Sequence, residues 1–161
     1  NEDAALWFTR RVLPLIRRSR PGASLALVGS SPTSAVTGLA GDGITVTGTV
    51  PDVRPWLDRS RVFVAPVRLG FGVKGKVLEA FARGRAVVAT RGVARGLAGV
   101  VPGRHLLAAD SPREFADACL SLLEDPARRG RLAAQGRAFA ERRCDWSLST
   151  GLLSDLYAEL A

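Results

Sequence analysis

The chain has 161 residues, 47% hydrophobic and 24% charged, a balance that marks a folded domain and excludes disordered and low-complexity classes. That length suits one domain with a single core and is short for two. A formal charge of +8 invites a nucleic-acid reading, but the arginines are spread over every segment and no aromatic residues interleave with them, so no specific nucleic-acid surface is expected.

The first amphipathic pattern spans residues 3–18, where Ala5, Phe8, Val12, Leu15 and Ile16 recur at helical spacing and Pro14 marks a kink site. Pro21-Gly22 makes a turn, residues 24–28 a short apolar strand, and Ser30-Ser31-Pro32-Thr33-Ser34 a loop. Residues 44–47, β-branched and bounded by Gly43 and Gly48, give a second strand. Residues 51–59 read as a helix with Val53, Trp56 and Leu57 inward, and residues 62–66 as a third, almost wholly apolar strand. A glycine-rich loop at 70–75 leads into a helix at 76–83, a fourth strand at 86–90 and a short last strand at 106–109. Ser111-Pro112-Arg113-Glu114 has the form of a capping box, so a helix starts there and runs to about residue 123. Asp125-Pro126 starts another that ends near Arg143, and Asp145 or Ser147 caps a terminal helix with Leu148, Leu152, Leu156 and Leu160 in one stripe. Apolar strands alternating with helices predict an α/β domain, a Rossmann-like doubly wound parallel sheet with helices on both faces. No apolar run approaches the roughly 20 residues of a membrane helix, and the acidic start Asn1-Glu2-Asp3 gives no sign of a signal peptide.

Cys119 and Cys144 lie in helical patterns without metal-ligand spacing and read as buried apolar residues; His105, the sole histidine, reads as a turn residue. No protein-built zinc site and no Cys/His nucleophilic pair is expected, and a reducing, cytoplasmic compartment is.

The only two lysines, Lys74 and Lys76, fall in the segment Gly70-Phe71-Gly72-Val73-Lys74-Gly75-Lys76-Val77-Leu78-Glu79, which joins a strand's carboxyl end to a helix N-terminus. In open α/β sheets anionic ligands bind there, held by exposed backbone N–H groups, the helix dipole and a nearby ammonium. Gly70-x-Gly72-x-x-Gly75 matches the dinucleotide fingerprint, with Arg91 as a partner for a 2′-phosphate, although it follows two earlier strands. Gly70-xxxx-Gly75-Lys76 also matches a P-loop, yet Val77 occupies the position of the magnesium-ligating hydroxyl and the strand at 86–90 offers no Asp.

The run from Pro66 to Thr90 resembles the signature of retaining glycosyltransferases with the two-domain GT-B fold, of the glycosyltransferase family 4 or group 1 type. Residues 1–8 resemble the helix after the first strand of that family's donor-binding half, and residues 46–53 its base-contacting segment. Gly103-Arg104-His105-Leu106-Leu107 and Cys144-Asp145-Trp146 resemble later landmarks. The resemblance implies one domain over 1–161, the C-terminal donor-binding half with terminal helices at 112–161, lacking its first strand and the N-terminal acceptor domain. It implies a nucleotide diphosphate sugar as substrate, no metal or other cofactor, and glycosyl transfer of the hexosyltransferase type, with the isolated fragment inactive. Peripheral membrane contact by the full-length protein stays open.

By the same resemblance, Glu79 holds the donor ribose, where a carboxylate can accept from both hydroxyls of a diol. Lys74, Gly70 and Gly72 would receive the diphosphate, the lysine acting in place of a metal. Arg68, Phe71 and Arg91 are candidates for sugar or phosphate contacts, and Gly48, Thr49 and Val50 for base contacts. The family's first glutamate is absent, its place taken by Leu69 or Phe71. Two alternatives stand beside this reading: a non-catalytic nucleotide- or carbohydrate-binding module, and an NADP-binding Rossmann domain.

Overall fold

The computed structural model describes residues 1–68 and 74–143; the expected terminal helix, with Cys144 and Trp146, lies outside the described residues. The N-terminal helical stretch is α1 (Glu2–Trp7), a π-helical turn at Phe8–Val12, and α2 (Leu13–Ser19), where one unbroken helix is expected. Pro14, in the first turn of α2, has no N–H to donate, and its ring crowds the carbonyl four residues back, so the turn before it widens. The inward face consequently carries Ala4, Trp7, Phe8, Val12, Leu13 and Ile16, and leaves Ala5 and Leu15 only half-buried.

Strand β1 (Leu25–Leu27) pairs in parallel with β2 (Ile44–Val46), Leu25 opposite Ile44. The intervening stretch, where a loop is expected at residues 30–34, holds the single helical turn α3 (Ser34–Thr37) at the end of that loop. Its closure is local and polar: the Thr37 hydroxyl donates to the carbonyls of Thr33 and Ser34 at 3.2 and 3.1 Å, which leaves no apolar period to read. Helix α4 (Arg54–Arg59) starts later than residue 51 because the Asp52 carboxylate accepts the Arg54 N–H at 2.9 Å. Leu57 is its buried residue, while Val53 and Trp56 are half-buried.

Strand β3 (Val62–Ala65) is followed by α5 (Lys74–Ala82), which opens two residues earlier than expected, then β4 (Ala86–Ala89). Arg91, expected in a loop, is the first residue of a further short helix, α6 (Arg91–Arg95), ahead of β5 (Leu107–Ala108). Helix α7 (Pro112–Glu124) carries the expected capping box: the Ser111 hydroxyl accepts from Glu114 N–H at 3.2 Å and the Glu114 carboxylate from Ser111 N–H at 3.3 Å. Helix α8 (Pro126–Arg143) follows.

β3, β4 and β5 form a second parallel sheet in that order, with Val62 opposite Ala86 and Val88 opposite Leu107. Alternate residues of β4 enter two apolar clusters, one on each face. Ala86 and Val88 pack with Trp7, Phe8, Phe115 and Leu122; Val87 and Ala89 pack with Phe81, Leu106 and Phe139. Parallel strands with both faces covered by helices make a Rossmann-like α/β architecture. The five strands are in two sheets, not one: β1 and β3 are not hydrogen-bonded, although Leu25, Ile44, Val62 and Val64 pack against the same cluster. No described helix is long and apolar enough to cross a membrane.

Candidate functional site

Of the residues singled out from the sequence, Arg68 follows the carboxyl end of β3 and Arg91 that of β4. Past β3 the chain runs through buried Pro66 and half-buried Val67 to Arg68, which is exposed. The Arg68 guanidinium reaches back to α1, donating to the Asp3 carboxylate through Nε at 3.2 Å and Nη2 at 2.6 Å, and lies 5.4 Å from the centroid of the Trp7 ring. Arg68 holds the Asp3 carboxyl below the usual carboxylate range. A cleft of about 280 Å³ beside this pair is lined by Asp3, Leu6, Trp7, Arg10, Arg11 and Arg68. Arg68, a candidate contact for sugar or phosphate, therefore stands at the strand ends with its planar face backed by indole and its charge countered on one side.

Gly70, Phe71 and Gly72, and the side chain of Lys74, lie outside the described residues; the backbone of Lys74 is the first turn of α5. Helix α5 buries Val77, Ala80 and Phe81 at i, i+3, i+4, so Glu79 and Lys76 fall on its solvent side, and both are exposed. The Glu79–Lys76 salt bridge that the i,i+3 spacing allows is not formed. Helices α4 and α5 are joined by Arg83, whose Nε donates to Asp58 at 3.0 Å. The Arg54 guanidinium is held above its ordinary pKa by hydrogen bonds to Asp52, with smaller contributions from the charges of Glu79 and Asp58. The expected base-contacting segment, residues 46–53, precedes α4. In that segment Gly48 has φ +65°, a left-handed conformation that favours glycine, while Thr49 is exposed and Val50 half-buried.

Arg91 is turned elsewhere. Its Nη1 is 3.4 Å from both Asp110 and Glu114, and its backbone N–H donates to Asp110 at 2.9 Å. The two carboxylates raise the Arg91 pKa, and Glu114, accepting first from Ser111 and then from Arg91, is held low. Arg91 and Glu114 border a groove of about 790 Å³ between α6 and α7 along β5, which neither Arg68 nor Glu79 lines. The Arg91 side chain is thus engaged by the carboxylates of Asp110 and Glu114 and by none of the other candidates.

The remaining chemistry-bearing groups are structural. Cys119 is buried and its thiol is pushed up to about 12, which leaves it protonated and unreactive. His105 is a buried turn residue whose Nδ1 accepts from Val101 N–H at 2.9 Å and whose ring lies 4.9 Å from that of Phe139. Burial, then the charges of Arg104 and Arg142, lower its pKa. Trp7 packs edge-on against Phe115 at 5.6 Å, as the apolar pattern implies. Among the described residues no group of three or more His, Cys, Asp or Glu side chains is arranged to hold a metal.

Sequence reasoning missed three contributors: Asp3 and Trp7, which hold Arg68, and Thr90, which caps α6. Thr90 ahead of Arg91-Gly92-Val93 does carry an N-cap signal, whereas nothing local pairs Asp3 with a residue 65 positions away.

A family model described as glycosyl transferases group 1 matches residues 1–125. The chain belongs to that family. Its fold is similar to the C-terminal domain of a glycosyl transferase group 1 family protein, LpcC, from Francisella tularensis: TM-score 0.66, 18% identity, covering 88% of this chain and 79% of that one. It is equally similar to sucrose-phosphate synthase from Thermosynechococcus elongatus, TM-score 0.66 and 24% identity, over 94% of this chain and 43% of that one. The chain thus spans less than half the length of that synthase. No curated protein matches it.

Proposed function

We propose that this domain is the donor half of a retaining glycosyltransferase of the hexosyltransferase type, binding a nucleotide diphosphate sugar without a metal. The observation that carries the reading is Glu79. In a group 1 family domain it is an exposed carboxylate on the solvent side of α5, without a salt bridge to Lys76. A carboxylate there can accept from both hydroxyls of a ribose, and in this reading the base lies against the segment that contains Gly48, Thr49 and Val50. Lys74, with the positive end of the α5 dipole and the backbone at Gly70 and Gly72, would neutralise the diphosphate as it leaves. Arg68 and Phe71 border the sugar side in this reading. An acceptor domain would supply the second substrate and exclude water, so the fragment alone turns nothing over. Cytoplasmic residence belongs to the same proposal, supported by the free thiol of Cys119.

Calorimetry with UDP, GDP, ADP and NADP⁺, each with and without EDTA, tests it. Weak binding of at least one nucleoside diphosphate, unaffected by the chelator, is expected. Preference for NADP⁺ over every diphosphate would replace the reading with a dinucleotide-binding domain, and sugar transfer by the chain alone would refute its dependence on a second domain.

A further inference from the structure

Thr90 is 3% exposed, and its hydroxyl makes two bonds in opposite senses. It donates to the Val67 carbonyl at 2.6 Å and accepts from the Val93 N–H at 3.3 Å. A hydroxyl has one proton and two lone pairs, so one group serves both at once. The β3–β4 ladder ends with Ala65 opposite Ala89, and Thr90 N–H donates to the Ala65 carbonyl at 3.3 Å. The side chain then adds one cross-strand bond beyond the ladder, to a residue already past the end of β3. That residue immediately precedes Arg68, which is held from the other side by Asp3 and Trp7.

We propose that Thr90 is a positioning residue of the donor site, latching the chain that leaves β3 to the N-terminus of α6 so that Val67 and Arg68 keep one path. It does not touch the donor. The inference rests on the donor-half reading and deepens it, by naming what sets the backbone at the strand ends. Valine has the shape of threonine but neither bond, and would leave a carbonyl and an N–H without partners where water is scarce. Serine keeps both bonds and loses only a methyl group.

The test compares Thr90→Val, Thr90→Ser and the stability control Leu122→Ala, which is buried in an apolar cluster that does not include Thr90. Each full-length variant is measured by calorimetry with UDP, GDP and ADP, by hydrogen exchange of peptides ending at Arg68, and by thermal melting. Thr90→Val should weaken diphosphate binding about tenfold or more and speed exchange before Arg68 about tenfold, the scale of one lost bond to a buried group. Thr90→Ser should stay within about threefold of native, and Leu122→Ala should melt lower yet bind and exchange near Arg68 as native does. Equal weakening in Thr90→Ser, or in Leu122→Ala, would reduce Thr90 to a structural residue and overturn the proposal. Unchanged exchange in Thr90→Val would sink the latch alone. A native chain that binds none of the diphosphates would instead bring down the donor reading and the positioning role with it.

Discussion

Along β4, Ala86, Val87, Val88 and Ala89 are each at most 1% exposed and take alternate sides of the sheet, while past the ends of β3 and β4 lies a rim where Arg68 and Arg91 meet solvent. In the interior every side chain has many neighbours, and no single contact decides the outcome. At the rim each candidate is set by one or two partners: Asp3 and Trp7 for Arg68, Asp110 and Glu114 for Arg91, Val67 and Val93 for Thr90. Mutations should therefore act on stability in the first region and on ligand affinity in the second, with little crossover.

The largest effect is expected from Phe115→Ala. Phe115 is 0% exposed and stands edge-on to Trp7 and Phe8, at 5.6 and 5.8 Å. Its loss should destabilise the domain by about 3–5 kcal/mol, read from denaturant melts. A loss under about 1 kcal/mol would mean that the two faces of β4 are not independently packed.

A sharper comparison uses two glycines of α8. A Cβ on Gly136 would come 2.6 Å from Cδ1 of buried Phe81 and 3.2 Å from the His105 carbonyl, whereas one on Gly130 meets nothing within 4 Å. Gly136→Ala should cost about 1–3 kcal/mol by overpacking, and Gly130→Ala should stabilise by about 0.4–1 kcal/mol through helix propensity. Two changes of the same sign would show that α8 is not fixed against α5.

The smallest effect concerns pH. His105 is neutral in the folded domain, since Nδ1 accepts from Val101 N–H and burial lowers its pKa. The unfolded chain takes up the proton first as pH falls below about 6.5, so stability is full above that value and declines as pH drops through the folded pKa. His105→Asn, which keeps an acceptor and removes the titration, should flatten the decline in melts between about pH 8 and pH 5. An unchanged slope would assign the acid sensitivity to other groups.

Much of the interior was legible in the sequence because burial writes a period. The apolar runs became β1 to β5, and Ser111 to Glu114 gave the capping box of α7. The π turn was not legible as such, because Pro14 announces a disturbance without saying whether the helix kinks or widens. Helix α6 was passed over as loop, its five residues being too few for a period, and the pairing of Thr90 with Val67 joins residues 23 positions apart. Two sheets formed where one was expected, since strand pairing depends on a neighbour and not on a strand's own residues. The family resemblance pointed to Glu79 and Arg68, but only tertiary structure turned Arg91 toward Asp110 and Glu114.

The central claim is that the exposed carboxylate of Glu79 receives a ribose diol. It is tested most directly by measuring the affinities of native and Glu79→Gln protein for the nucleoside diphosphate that binds and for its 2′-deoxy and 3′-deoxy analogues. Native protein should prefer the ribonucleotide by about ten- to a hundredfold, the scale of hydrogen bonds to a charged acceptor. Glu79→Gln should erase most of that preference while binding the deoxy analogues nearly as native does. Equal discrimination by both proteins would make Glu79 a solvated helix residue and contradict the account.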